Sequence, residues 1–187
     1  LACLDILAEY GYNFDPKELY QECYDPYFYD NIDAALSHGV NVDVIIQRLK
    51  PHEILERFDY LNDNGANLDI NQLLPELDNK YYDLHAEFLF SKGVNIQFIT
   101  DHLGEDGLLW NSAFLLSNGV DPNKVVKGLK YYPEQKDIDL FLSYNVDIDQ
   151  IASNLRPEYL TRYINYLIEK GVDLTKCAKN LKSDYIA

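Results

Sequence analysis

Apolar positions in this chain recur in blocks, and each block closes on the same kind of residue. Gly11, Gly39, Gly65, Gly93, Gly119, Asn145 and Gly171 stand at successive spacings of 28, 26, 28, 26, 26 and 26 residues, a near-constant period of the kind that marks repeat arrays. Four residues before each closing residue are Leu7, Ala35, Leu61, Leu89, Leu115, Phe141 and Leu167. Seven before it, from the second block on, are Ile32, Phe58, Ala86, Ser112, Ile138 and Ile164; eleven before it are Phe28, Ile54, Tyr82, Leu108, Glu134 and Leu160. Steps of three and four put these residues on one helical face, which predicts a helix of about 12 to 14 residues running up to each glycine. Glycine there supplies the left-handed residue that ends a helix, and Asn145 is the usual substitute.

A second, shorter helix follows each stop. Asn41, Asn67, Asn95, Asp121, Asp147 and Asp173 lie two residues past the closing residue, where a short side-chain oxygen can cap the next helix. Pro122 follows its cap at the first helical position, where a missing N–H costs nothing. Six and ten residues past the stop come Ile45 and Leu49, Ile99 and Leu103, Val125 and Leu129, Ile151 and Leu155, and Cys177 and Leu181. Such i, i+4 pairs imply about two helical turns, stable only when packed. In the two 28-residue units the pair moves by two, to Leu19 and Cys23 and to Leu73 and Leu77, and Asp15-Pro16 makes the cap two places later. Pro51, Pro133 and Pro157 restart the longer helix, and Pro26 and Pro75 punctuate the same region. No segment alternates with period two for long enough to read as a strand. The expected fold is all-α: an α-solenoid, or superhelix, of about seven 26–28 residue helix-turn-helix repeats, each burying its apolar face against its neighbours. Residues 1–187 are expected to form a single repeat domain without an internal linker.

The stretch Leu115 to Asn123, LLSNGVDPN, resembles the end of an ankyrin unit, whose second helix runs into a similar turn. Asn62-Asp-Asn-Gly-Ala-Asn67 and Ser91-Lys-Gly-Val-Asn95 are similar. The resemblance covers some nine residues per unit and departs from ankyrin in period, in lacking T-P-L-H and in running straight into a short helix. Asp149-Gln-Ile-Ala-Ser-Asn-Leu155 resembles the short first helix of a TAL-effector unit, and the hairpin arrangement resembles the mitochondrial transcription-terminator proteins. The first resemblance implies protein recognition, the second nucleic-acid recognition.

Composition narrows these choices. No apolar run reaches the length of a membrane helix. The three cysteines, Cys3, Cys23 and Cys177, are odd in number and far apart, which favours reduced thiols and an intracellular, cytoplasmic setting. The absence of methionine and an opening in mid-helix pattern suggest a fragment of a longer protein. The net charge is −15, and its distribution is uneven: residues 119–187 hold 10 basic and 10 acidic side chains, so the whole excess lies in residues 1–118. A field of that sign repels phosphate backbones and attracts basic partners.

No catalytic or metal-binding constellation stands out. His52-Glu53 belongs to H-E-x-x-E rather than H-E-x-x-H, so two ligands do not share a helix face. His38, His85 and His102 occupy three different positions of the unit. Gly104-Glu-Asp-Gly107 lacks the lysine of a phosphate loop and reads as a turn between helices, and the acidic run Asp59 to Asp69 misses the liganding order of a calcium loop. The reading is therefore a non-enzymatic chain with no cofactor and no metal.

Two surface features remain as candidates for partner binding. Nine residues before the stop the copies read Asp30, Glu56, Leu84, Trp110, Lys136 and Arg162, a mostly charged and so solvent-facing position that carries the single tryptophan. An exposed tryptophan is a candidate hot spot. On the short helices, Val44 and Arg48, Phe98 and His102, Lys124 and Gly128, Gln150 and Asn154, and Lys176 and Asn180 form i, i+4 pairs off the core stripe, a ridge whose chemistry changes from copy to copy. Tyr60 and Tyr166 are expected beside the core, and Tyr29, Tyr131 and Tyr163 on a binding surface. These features predict a protein-interaction scaffold holding a peptide or protein partner, a basic one by charge. Nucleic-acid binding along the ridge through Arg48, Lys124 and Lys176, and a purely structural spacer, are the alternatives.

Overall fold

The computed structural model describes residues 32–37 and 39–178, the side chains of 177 and 178 apart. The first copy (Gly11, Asp15-Pro16, Leu19, Cys23), Tyr29, His38, Asn180 and Leu181 lie outside those residues. Among the described residues every regular element is a helix, and no helix is long and apolar enough to cross a membrane. The chain divides into two compact units, Leu1–Leu77 and Asp78–Ala187.

The first unit contains the helices Ile32–Ser37, Val42–Ile46, Pro51–Glu56, Phe58–Asp63 and Ile70–Leu73, the last continued by a 3₁₀ turn at Leu74–Glu76. Its core gathers Ile32, Ala35, Val40, Val42, Ile45, Ile54 and Leu61. The second contains Asn79–Ser91, Ile96–His102, Glu105–Trp110, Ser112–Ser117, Pro122–Val125 with the 3₁₀ helix Val126–Lys130, Gln135–Ser143, Ile148–Asn154, Pro157–Glu169 and Leu174–Ala178. Its core runs from Leu108 to Val172 and centres on Leu115, Val125, Leu129, Ile138, Phe141, Ile151 and Leu167.

The turn that closes each block is built the same way six times. Gly39, Gly65, Gly93, Gly119, Asn145 and Gly171 all have positive φ, between 59° and 93°. The next residue's N–H then reaches back to the carbonyl five positions earlier, as in Val40 to Ala35, Val120 to Leu115 and Val146 to Phe141, at 3.0–3.1 Å. This geometry satisfies carbonyls that a helix end leaves open. It also swings Val40, Val94, Val120, Val146 and Val172 into the core, a position that the helical stripe does not include. The stripe itself is buried where expected: Ala35, Leu61, Leu89, Leu115, Phe141 and Leu167 are sealed from solvent.

Four expectations need correction. Among the described residues the 12 to 14 residue helix is unbroken only at Pro157–Glu169; it is shorter at Gln135–Ser143 and interrupted at Arg57, His85 and Asn111. Each interruption stands eight residues before its glycine, with φ between −121° and −96° and ψ near zero. At Asn111 the side-chain Nδ2 donates to the carbonyls of Gly107 and, 28 residues back, Asp83, so it takes over acceptors at the break. The cap of the short helix in the third block is Asp69, not Asn67, because the two extra residues of that unit precede the cap. Pro133 does not open a helix: Glu134 is the N-cap of Gln135–Ser143, with Asp137 accepting the Glu134 N–H at 2.7 Å. Gly104 and Gly107 do not form a turn, since Gly104 caps Glu105–Trp110 and Gly107 lies inside it.

Side-chain hydrogen bonds between distant residues reach about one period. Among the described residues, those joining positions more than six apart span 21 to 30 residues. Tyr166 donates to Asp139, and the phenol of Tyr60 is raised above its ordinary range first by Asp33. In both pairs the tyrosine lies five residues before its glycine or equivalent, and the aspartate six before the preceding one.

Candidate functional site

The second unit holds an open groove of about 590 Å³ lined by Leu109, Trp110, Ser112, Ala113, Tyr132, Glu134, Lys136, Asp137 and Leu140. Three local features produce it. The first is close backbone packing. A Cβ on Gly128 would meet the Leu109 nitrogen at 2.6 Å and the Glu105 carbonyl oxygen at 2.9 Å, and a Cβ on Gly107 would fall 1.8 Å from an Asp83 carboxylate oxygen. Glycine at both places lets the helix Glu105–Trp110 press against its neighbours on two sides, and that helix delivers Trp110. Asp83 holds the helix start by accepting the Gly104 N–H at 2.9 Å; burial, and secondarily Asp106, raise its carboxyl while the Gly104 bond opposes them.

The second feature is the turn Tyr131-Tyr132-Pro133. Tyr132 has φ +46°, a left-handed conformation that costs a residue with a side chain about 1–3 kcal/mol and tends to cluster at functional sites. Its neighbours hold it there. Tyr131 N–H donates to Gly128 at 2.9 Å, and Tyr163 donates its hydroxyl to the Pro133 carbonyl at 2.9 Å. The Tyr132 ring meets Tyr131 edge-on at 5.0 Å and Tyr159 at 6.1 Å, and Trp110 meets Tyr131 at 6.1 Å. Edge-to-face pairs are the favoured aromatic geometry. The Arg162 guanidinium lies 5.4 Å from the Tyr159 ring centre, so a continuous aromatic strip ends on a cation. Despite these contacts, Trp110 is 60% and Tyr132 69% exposed.

The third feature is a double break in the apolar stripe. Ser112 occupies the position filled by Ile32, Phe58, Ala86 and Ile138 in other copies, and Glu134 the position of Ile54, Tyr82, Leu108 and Leu160. Both line the groove. Ser112 is 4% exposed, and its hydroxyl makes no hydrogen bond with the described residues, whereas the other buried polar side chain among them, Thr100, donates to Ile96 at 2.7 Å. A buried hydroxyl without a partner is costly. At the rim Lys136 pairs with Glu134 at 2.7 Å; that hydrogen bond holds the Glu134 carboxyl below, and the Lys136 ammonium above, its ordinary range.

Of the residues marked by the sequence, Trp110 belongs to this groove and the described residues of the short-helix ridge do not line it. Phe98 and His102 pack together at 4.2 Å, His102 stacks on buried Tyr82 at 4.9 Å, and its Nδ1 bonds the Phe98 carbonyl. Lys124 pairs with Asp101 at 3.0 Å and Lys176 with Asp149. Asn154 donates to the Gln150 carbonyl at 2.9 Å. Arg48 is exposed in the first unit. The ridge lysines therefore meet carboxylates of the preceding copy. Tyr131 backs Trp110, and Tyr163 braces Pro133, so neither is a bare surface ring. Tyr132, Ser112 and Glu134 went unmarked; the two stripe breaks were the signal for the last two. Among the described residues no three His, Cys, Asp or Glu side chains are grouped to hold a metal ion.

No protein-family model, curated protein or solved structure matches the chain.

Proposed function

We propose that the chain is a non-enzymatic protein-interaction scaffold, an α-solenoid of helix-turn-helix repeats whose groove between Trp110 and Leu140 takes an extended segment of a peptide or protein partner. The observation that carries this reading is the conjunction of an exposed Trp110, an exposed and strained Tyr132 and an unpartnered Ser112 hydroxyl on one groove. Aromatic anchors beside an apolar floor, with polar groups at the rim, are the usual anatomy of a binding hot spot. Within each unit, hydrogen bonds about one period long support packing of one copy against the next, as a solenoid requires.

The test is selection of a random peptide library on the protein, counter-selected on Trp110→Ala. Peptides retained by the parent protein should lose about 2 kcal/mol of affinity, roughly 30-fold, on the variant. A library yielding no peptide that distinguishes the two proteins sinks the proposal.

A further inference from the structure

We infer that the groove is a seat for an arginine side chain presented by the partner. This rests on the groove reading above and adds the chemistry of the occupant. An arginine has three parts, and the groove offers something to each. Its aliphatic stem needs apolar surface, supplied by Leu109, Ala113 and Leu140; long cationic side chains commonly lay their stems along such surface while the head stays polar. Its planar guanidinium stacks on aromatic rings better than an ammonium does, and Trp110 and Tyr132 present exposed rings on the same groove. Its positive charge and fork of donors need carboxylates and further acceptors. Glu134 and Asp137 are set against the single Lys136 among the residues that line the groove. The Ser112 hydroxyl adds an acceptor that has no partner among the described residues.

The protein already shows one such arrangement, with the Arg162 guanidinium over Tyr159 at 5.4 Å, on a ring that touches Tyr132. An arginine from outside would extend that strip by one more cation. Glu134 would exchange Lys136, exposed on the rim, for the incoming guanidinium. Exchange of one exposed ion pair for another is inexpensive, because solvent and salt screen both.

Trp110 is the single tryptophan, so its emission reports directly on this groove. The experiment titrates the protein with acetyl-arginine methylamide, with its neutral isostere acetyl-citrulline methylamide and with acetyl-lysine methylamide, following tryptophan fluorescence at low and high salt. The arginine compound should give a saturating change that weakens with salt. The citrulline compound should need about tenfold more or fail to saturate, and lysine should fall between. Glu134→Gln should weaken arginine severalfold while leaving helical circular dichroism unchanged. Equal responses to arginine and citrulline, or no response to arginine, overturn the inference. The peptide selection stands apart: peptides that depend on Trp110 but bind unchanged when each arginine is replaced by citrulline would leave the groove intact and remove its cation.

Discussion

Gly128→Ala tests the packing that places Trp110. The new Cβ would stand 2.6 Å from the Leu109 nitrogen, 2.9 Å from the Glu105 oxygen and 3.0 Å from the Leu108 carbonyl carbon. All three are backbone atoms of the helix Glu105–Trp110, so no side chain can rotate away and the helix itself must move. Overpacking of this kind costs about 1–3 kcal/mol. Alanine recovers up to about 1 kcal/mol of helical preference over glycine, and less than that in a short 3₁₀ segment. The net expectation is a loss of about 2 kcal/mol, or a urea midpoint lower by roughly 1 M for a domain of this size. Displacement of the helix also shifts Trp110 relative to Tyr131, so native-state tryptophan emission should change before any unfolding. Gly119→Ala is the control. Its Cβ meets nothing within 4 Å, and the penalty comes from φ +79° alone, about 1 kcal/mol, with native emission unaltered. A Gly128→Ala protein with an unchanged or higher midpoint would refute the close-approach argument.

Three further outcomes follow from the same geometry. Ser112→Ala removes a buried hydroxyl that lacks a partner and should raise stability by about 1 kcal/mol in urea melts, while weakening ligands detected through Trp110; a destabilised variant would show that the hydroxyl has a structural role. Burial raises the Asp83 carboxyl above its ordinary range, so the folded state holds this proton more tightly than the unfolded state. Its contribution is full below the unfolded carboxylate value and lost as pH rises through the folded one. Asp83→Asn should therefore be more stable than the parent at pH 7 and converge with it in acid, and the opposite trend in paired denaturation curves would contradict this. The Tyr166 phenol is pushed up to about 12, first by its hydrogen bond to Asp139 and then by burial. The stability it adds is complete below its ordinary value of 10 and disappears as pH rises from there through 12. The advantage of the parent protein over Tyr166→Phe should shrink across that interval, and a constant difference would remove the hydrogen bond from the account.

What the sequence discloses here is the part of the structure determined within a few residues. The positive-φ stops can be read because glycine and asparagine tolerate that conformation almost alone, and the stripe at four and seven residues before them because helical periodicity needs no knowledge of a partner. The break at Asn111 is not readable, since its amide serves a carbonyl 28 residues away. Nor are the roles of Gly107 and Gly128, which depend on what lies opposite them. Trp110 can be placed outside because its position is mostly charged in other copies. Tyr132 cannot: nothing local marks a tyrosine before proline as left-handed, and only the rings and the Tyr163 hydroxyl around it show why it stays so. Ser112 and Glu134 are intermediate cases, visible as exceptions once the copies are aligned, but meaningful only when both are found on one groove.

The one-period reach of the long hydrogen bonds has a consequence for how such a chain can change length. Because a tyrosine, lysine or asparagine of the second unit finds its partner about one period away, each of these bonds joins one block to the block before it, and removing a whole period would part the two groups. Changes of one or two residues are absorbed elsewhere, in the link between the glycine stop and the next cap, as the shift from Asn67 to Asp69 shows. A change of whole periods therefore requires new bonding partners, where a change of one or two residues in that link does not.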